Sequence, residues 1–370
     1  MFFYRFLHII PTLGKGGAER LVQDICEEIY KRTSHQIKLI TFSKEFENNN
    51  KLPFHIHIDS FFNPSITSKS ILSIVNLQKF IDDFRPDIIH SHLWMSEILL
   101  TRINIKEARR FSHFHDNIPQ LSTKRLSIHK LGLINSYEKR LFLKNNENQF
   151  ICISKDTMKY AKEVLPKKYF SKIHLIPNGI KFDKFRSDKE RELDAINLIN
   201  IGSFVPKKNQ KFAIKILKVL VERGYRAKII FLGDGPELEN LKKISKDLNL
   251  LKHVDFKGNV HDVRPFLSTS NILLHTAYYE PFGLVLLEAM ASGIPVITLD
   301  GKGNRDFINK KNGILIFEED SELFSNKIIE VFENKEKYQM LSKNGMDTAA
   351  KYDIKEYVND LIKVYLTATK

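Results

Sequence analysis

Short apolar, β-rich runs alternate with helical patterns along this chain, and no other feature restricts its fold as much. Residues 6–10, 37–42, 87–92, 110–115 and 150–154 read as strands in the first half. Residues 198–204, 228–233, 254–258, 272–276, 295–300 and 313–317 do so in the second. Helical stretches such as 18–30, 70–84 and 123–144 separate them. Strands alternating with helices predict parallel sheets whose crossover helices cover both faces, an α/β fold. The 370 residues exceed one ordinary domain and suit two. A break follows the turn Pro177-Asn178-Gly179, where ten of the fourteen residues 181–194 are charged. So little apolar surface predicts a solvated linker. The expected organisation is an N-terminal Rossmann-like domain over 1–178, a linker over 179–194 and a second Rossmann-like domain over 195–352. Residues 353–370 would add a helix that returns to the first domain, its apolar face carrying Tyr357, Val358, Leu361, Ile362 and Tyr365. Two such sheets facing across a cleft would hold ligands beyond the carboxyl ends of their strands.

Composition narrows the class. Cys26 and Cys152 are the only cysteines and sit in unrelated contexts, so neither a disulfide framework nor a thiolate metal site is expected, and a reducing compartment is implied. The apolar start is short, is interrupted by Arg5 and runs into Pro11, which reads as a buried strand and not as a signal peptide. No run approaches the roughly 18–20 apolar residues of a membrane span. Lys and Arg total 58 against 44 Asp and Glu, a formal charge of +14. That excess suits an anionic partner, either nucleotide phosphates or an acidic lipid surface. Nucleic acid is not expected, because no nucleic-acid-binding motif is visible.

Chemistry concentrates in Glu280-Pro-Phe-Gly-Leu-Val-Leu-Leu-Glu288, between two predicted strands. Pro281 suits the first turn of a helix and Gly283 leaves backbone N–H groups open. Free N–H groups and the helix dipole together make an anion site suited to a diphosphate. One of the two carboxylates, Glu280 or Glu288, would then hold the sugar and the other the ribose hydroxyls, with the diphosphate between. A plainer reading has Glu280 capping the helix and Glu288 in solvent. The early turn Gly14-Lys15-Gly16-Gly17-Ala18-Glu19 also links a strand to a helix. It lacks the ending of a P-loop and the third glycine of a dinucleotide fingerprint. His90, His92 and His113-Phe-His115-Asp116 end predicted strands, the correct edge for a ligand.

The Glu280-x7-Glu288 segment, with Phe282-Gly283 and Ala289…Gly293-Ile-Pro-Val, resembles the donor-binding signature of family 4 (group 1) retaining glycosyltransferases of the GT-B fold. The resemblance extends to Gly16-Gly17-Ala18-Glu19, His115-Asp116, Pro177-Asn178-Gly179 and Ile201-Gly202-Ser203-Phe204-Val-Pro-Lys207-Lys208. It implies that Gly16 and Gly17 bring N–H groups to the donor phosphates and that His115 lies beside the transferred sugar. Lys208, aided by Lys207, would compensate the departing diphosphate. Gly233, Val260, Phe282, Gly283, Leu284 and Glu288 would bind the donor. One departure stands out: Ser203 occupies the place of the family's usual arginine, which removes one of two phosphate cations.

The resemblance implies transfer of a sugar from a UDP- or GDP-sugar to an acceptor hydroxyl with retention of configuration. No Asp-x-Asp pair occurs, so neither a metal nor any cofactor beyond the donor substrate is expected. Between Arg102 and Lys144, ten basic residues face three acidic ones, with Leu126, Leu133, Ile134, Tyr137 and Leu141 at helical spacing. That pattern suits either an ordinary domain helix or one resting on an anionic membrane. The expected acceptor is a polyprenyl-linked glycan in surface-polysaccharide synthesis. The expected location is the cytoplasm or, peripherally, the inner face of the plasma membrane. Two other readings stay open on the same fold: a nucleotide-sugar epimerase, and an inactive nucleotide-sugar-binding partner subunit, which Ser203 favours.

Overall fold

The computed structural model describes residues 3–14, 16–42, 52–58, 68–121, 137–144 and 147–368. The chain forms two compact units, one of Met1–Gly179 with Ile354–Lys370 and one of Ile180–Asp353. Among the described residues, no helix is long and apolar enough to cross a membrane.

The sheet of the first unit contains β1 (Arg5–Ile9), β2 (Gln36–Thr41), β3 (His55–His57), β4 (Ile88–His92), β5 (Arg109–Phe114), β6 (Gln149–Cys152) and β7 (Ile173–Leu175). Their order is β3-β2-β1-β4-β5-β6-β7, and every pairing is parallel. The chain works outward from β1 to β3, then crosses back to β4, so the strand order reverses between β1 and β4. The helices Gly17–Arg32 and Ile354–Thr367 pack on each other. The last helix buries Ile354, Tyr357, Val358, Leu361 and Tyr365. Tyr365 packs on Phe6 and Phe111, with ring centroids 5.4 and 4.8 Å apart. Arg109 ends the helix by donating to the carbonyls of Tyr365, Leu366 and Ala368 at 2.7, 3.0 and 3.3 Å. A cation at a helix C-terminus satisfies carbonyls left without intrahelical partners and complements the dipole.

The second unit repeats the plan with β8 (Ile196–Ile201), β9 (Ala227–Leu232), β10 (Val254–Phe256), β11 (Ile272–His275), β12 (Val296–Leu299) and β13 (Ile314–Ile316). Their order is β10-β9-β8-β11-β12-β13, again all parallel, with the reversal between β8 and β11. Its core gathers Phe204, Phe212, Phe231, Leu274, Ile297 and Phe324 from strands and covering helices.

Two elements differ from the sequence expectation. The three-residue edge strands β3 (His-Ile-His) and β7 (Ile-His-Leu), each interrupted by histidine, were not expected. The charged stretch 181–194, expected as a solvated linker, is anchored to the second unit. It contains the short helix Phe182–Phe185 with Phe185 buried, and Arg191 donates to the carbonyls of Ser268 and Ser292. The Ser187 N–H also donates to the Ala291 carbonyl and the Ser292 hydroxyl to the Phe185 carbonyl, so a few contacts hold the stretch while most of its charged side chains stay exposed. Residues 124–126, 133 and 134 of the expected basic helix lie outside the described residues. Of its remaining members, Tyr137 is exposed and Leu141 half-buried. Lys139 donates to the Leu121 carbonyl at 2.6 Å, serving the fold and not an open basic face.

Candidate functional site

In open parallel sheets, ligands bind beyond the strand carboxyl ends where the strand order reverses. In the second unit that position is the end of β8 and β11. The chain leaves β8 through Gly202 and Ser203 into the short turn Pro206–Lys208. Asn209 closes this turn in the left-handed region (φ 51°), and the Thr276 hydroxyl ties it down by donating to the carbonyls of Lys208 and Asn209 at 3.3 and 3.0 Å. Lys208 is thereby aimed at Glu280: its ammonium lies 2.6 Å from the carboxylate. His275, the last residue of β11, places Nε2 3.1 Å from the same oxygen. Burial alone would raise the Glu280 carboxyl. The Lys208 ammonium and the His275 imidazole outweigh it and hold the group well below the ordinary carboxylate range. Glu280 is therefore a buried acceptor that stays charged at ordinary pH.

The backbone around Glu280 is equally fixed. Its N–H donates to the Gly301 carbonyl at 2.7 Å, and its own carbonyl accepts from Gly303 N–H at 3.0 Å. Gly303 sits so close that a Cβ there would run into the Pro281 carbonyl, and one on Gly301 would lie 2.7 Å from Glu280 Cβ. Fully buried Asn304 locks this loop, accepting from Gly301 N–H and donating to the Thr298 hydroxyl and the Leu299 carbonyl, each at 2.9 Å. Asp300 pairs with Arg305 across it.

The helix of the Glu280-x7-Glu288 segment starts at Leu284, three residues later than Pro281 suggested, with Gly283 at its N-cap in the left-handed region (φ 100°). A helix opening on such a glycine presents its first N–H groups outward. Leu284 and Val285 are half-exposed there. Glu288 is 1% exposed, which removes the reading of a solvated carboxylate, and no side chain caps the helix, which removes the capping role for Glu280. Phe282 needs correction as a donor-lining side chain. Its ring is buried against Phe307 and Tyr352, centroids 5.2 and 5.9 Å away, so only its backbone is available.

The other expected residues of this unit line the same edge. Ser203 and Lys207 are exposed on the β8 turn, with the Lys207 ammonium 5.9 Å from the Tyr279 ring centroid. Gly233 (φ 142°), at the end of β9, donates to the Gly258 carbonyl at 2.9 Å, and a side chain on it would strike the Gly202 carbonyl. Half-buried Val260 follows the Gly258 turn. The carboxyl ends of β8, β9 and β10 are thus joined through glycine backbones, and Gly233 is as much a structural joint as a lining residue.

The first unit carries Gly16, Gly17 and His115. Gly16 caps the helix Gly17–Arg32, and both glycines are exposed. The Glu19 carboxylate folds over Gly16, where an added Cβ would meet it. Burial raises that carboxyl, against a hydrogen bond from its own backbone N–H. His115, just past β5, is part of a larger group that sequence reasoning did not assemble: His8 of β1, His90 and His92 of β4, and His113 of β5, all at the strand-order reversal. Burial depresses His8 and His115 to about 3 and pushes His90, His92 and His113 well below the ordinary range, the last three also opposed by neighbouring rings. His8, His90 and His92, and separately His92, His113 and His115, offer nitrogens within 4.8 Å of one another. His275 and His8 were both missed. The available signal was that each lies near a strand's carboxyl end, the rule that selected His90, His92 and His115.

Known proteins resemble this chain in sequence and in fold. A family described as glycosyl transferases group 1 matches residues 181–348, and one described as Glycosyltransferase Family 4 matches residues 15–184. The chain is 26% identical over 312 residues to the putative glycosyltransferase EpsF of Bacillus subtilis, covering 80% of this chain and 79% of that protein. It is 27% identical over 311 residues to an Escherichia coli UDP-Gal:alpha-D-GlcNAc-diphosphoundecaprenol alpha-1,3-galactosyltransferase, covering 78% of each. The crystal structure of Anabaena HepE in complex with UDP and glucose superposes with a TM-score of 0.80 at 17% identity, over 98% of this chain and all of that one. With one family matched on each half, the chain belongs to the group 1, family 4 glycosyltransferases and has the GT-B fold.

Proposed function

We propose that this glycosyltransferase moves a sugar from a nucleoside-diphosphate sugar, with UDP the leading nucleotide, to a hydroxyl of a polyprenyl-diphosphate-linked glycan during surface-polysaccharide synthesis, with retention and without a metal. The observation that carries it is the Lys208–Glu280–His275 group beside the open start of the helix Leu284–Ala291. A fixed carboxylate accepts hydrogen bonds from sugar hydroxyls. The first N–H groups of the helix and the Lys208 ammonium stabilise charge growing on the diphosphate as the glycosidic bond breaks. Glu288 is assigned the ribose, and Gly16 and Gly17 are assigned the phosphates. His115 is assigned a hydrogen bond to the transferred sugar. The names of relatives support the substrates: HepE was captured with UDP and glucose, and the E. coli relative is named for UDP-galactose and a diphosphoundecaprenol acceptor. Metal independence rests on the lack of an Asp-x-Asp pair in the sequence. Front-side attack suits this site, the departing phosphate taking the acceptor's proton while the protein supplies positioning and electrostatics.

The test is release of nucleoside diphosphate from UDP- and GDP-sugars, in chelator, with and without a polyprenyl-diphosphate-linked saccharide. Acceptor-dependent release that Glu288→Ala abolishes in a folded protein is expected. Normal turnover by Glu288→Ala refutes the ribose assignment. Donor binding with no release on any acceptor replaces transfer with the inactive-partner reading that Ser203 favours.

A further inference from the structure

Four histidines of the first unit form one hydrogen-bonded line with Tyr365. His90 Nδ1 lies 2.5 Å from the Tyr365 hydroxyl, which lies 3.2 Å from His8 Nε2. His8 Nδ1 lies 3.0 Å from His92 Nε2, and His92 Nδ1 lies 2.9 Å from His115 Nε2. The fifth ring, His113, stacks on His90 at 5.1 Å and on His115 at 3.8 Å, tilted by 6° and 14°. Although these nitrogens approach one another closely enough for a metal, His8 and His92 already engage both of theirs. The near-parallel rings of His113 and His115 also aim their in-plane lone pairs side by side, not at a common point. The rings serve one another.

Proton counting then decides the state of the line. A neutral imidazole carries one N–H and one bare nitrogen, and a hydroxyl donates once. Burial keeps these rings neutral at ordinary pH. With one proton per link, and with the buried Tyr365 hydroxyl donating to one of its two histidine neighbours, the direction of one hydrogen bond sets all the others. One direction ends in an N–H on His90 Nε2, a buried atom without a partner. The opposite direction leaves that atom bare and ends in an N–H on Nδ1 of His115, a ring that is only partly buried. A buried donor with no acceptor costs more than an unused acceptor, and neutral His113, neither of whose nitrogens has a partner, already carries one such donor, so a second on His90 would double that cost. The second direction therefore holds: His90 donates to Tyr365, Tyr365 to His8, His8 to His92, and His92 to His115 Nε2.

We propose that His90, Tyr365, His8 and His92 are positioning residues that lock His115 in its Nδ1–H tautomer, making this ring a fixed hydrogen-bond donor to a sugar oxygen, never a base. The use of that donor rests on the site role given to His115 above; the tautomer does not.

Long-range proton–nitrogen NMR of the full chain, labelled with nitrogen isotope in histidine and assigned with His115→Asn, reads the tautomer directly. At neutral pH, His115 is expected with a protonated Nδ1 and a bare Nε2, and His8 and His92 in the same form. His92→Phe cuts the line, and His115 should redistribute toward Nε2–H. His92→Gln, whose amide both accepts and donates, should restore the wild-type form. In turnover, His92→Phe is expected to lower kcat about tenfold with donor KM held, the worth of one aimed hydrogen bond. A wild-type His115 found as Nε2–H or as an imidazolium overturns the proposal, as does stoichiometric zinc in the purified protein. If His92→Phe does not fold, the wild-type spectrum still decides. Absence of turnover with every donor sinks the transferase reading, while the tautomer measurement judges the relay by itself.

Discussion

Both sheets place polar side chains at the same location, the carboxyl ends beside the strand-order reversal, and they solve the cost of burying them in opposite ways. In the first unit, burial strips the charge from five histidines, four of which share protons with one another and with Tyr365. In the second, Glu280 keeps its charge because Lys208 and His275 reach the same carboxylate. A buried polar group is least costly when it is neutral and bonded or charged and paired, and among these side chains only the stacked His113 ring is neither. The neutral solution supplies fixed direction without a field. The paired one supplies a field that a ligand can borrow, since Lys208 can turn from Glu280 toward a phosphate.

Acid should expose the contrast most strongly. His8 has its folded pKa depressed from an ordinary 6.5 to about 3, so the unfolded chain binds the extra proton first. Its stabilising share is present above pH 6.5 and is lost as pH falls toward 3, ~5 kcal/mol by linkage, with His90, His92 and His113 acting in the same direction. Glu280, depressed below the ordinary carboxylate range, holds its share through that window and loses it only in stronger acid. Acid unfolding followed by hydrogen exchange should therefore open the first unit before the second; simultaneous opening would dissolve the comparison.

Next in size is Lys208→Met, which strands the Glu280 charge and should cost about 3–5 kcal/mol in urea unfolding. Adding Glu280→Leu should recover most of that, because an apolar pair replaces a buried ion pair at little cost. If the double variant stays as unstable as the single one, the pair matters for packing and not for charge. The smallest effect is expected from Gly303→Ala. A methyl group against the Pro281 carbonyl should cost about 1–3 kcal/mol, yet reduce turnover further than stability alone would, because the same loop holds Glu280. Unchanged turnover would show that the position of Glu280 is not set by this loop.

Much of this was legible from local pattern. Alternation of apolar runs with helical spacing located every strand long enough to bury both faces, and glycine and proline punctuation located the turns of the site. The segment Glu280 to Glu288 was readable because its residue types and spacing serve one purpose. Its details were not: that Phe282 turns inward onto Phe307 and Tyr352 depends on residues up to seventy positions later. The histidine line was invisible for the same reason. His8 looks like one polar interruption in an apolar strand, and its partner Tyr365 lies 357 residues away. Asn304 shows its role only through its three hydrogen bonds, which no sequence pattern marks.

The return of the last helix to the first unit bears on how the protein is made. A ribosome releases residues 1–179 first, but Tyr365 and the carbonyls that Arg109 grips follow only after the whole second unit has been made. The second unit, contiguous from Ile180 to Asp353, can complete its own sheet while the first still waits with His90, His8 and Arg109 unsatisfied. Domains fold as units during synthesis, commonly in order from the N-terminus. Here the order inverts, and a nascent chain that stops between the second unit and Tyr365 would carry a finished second unit beside an unfinished first.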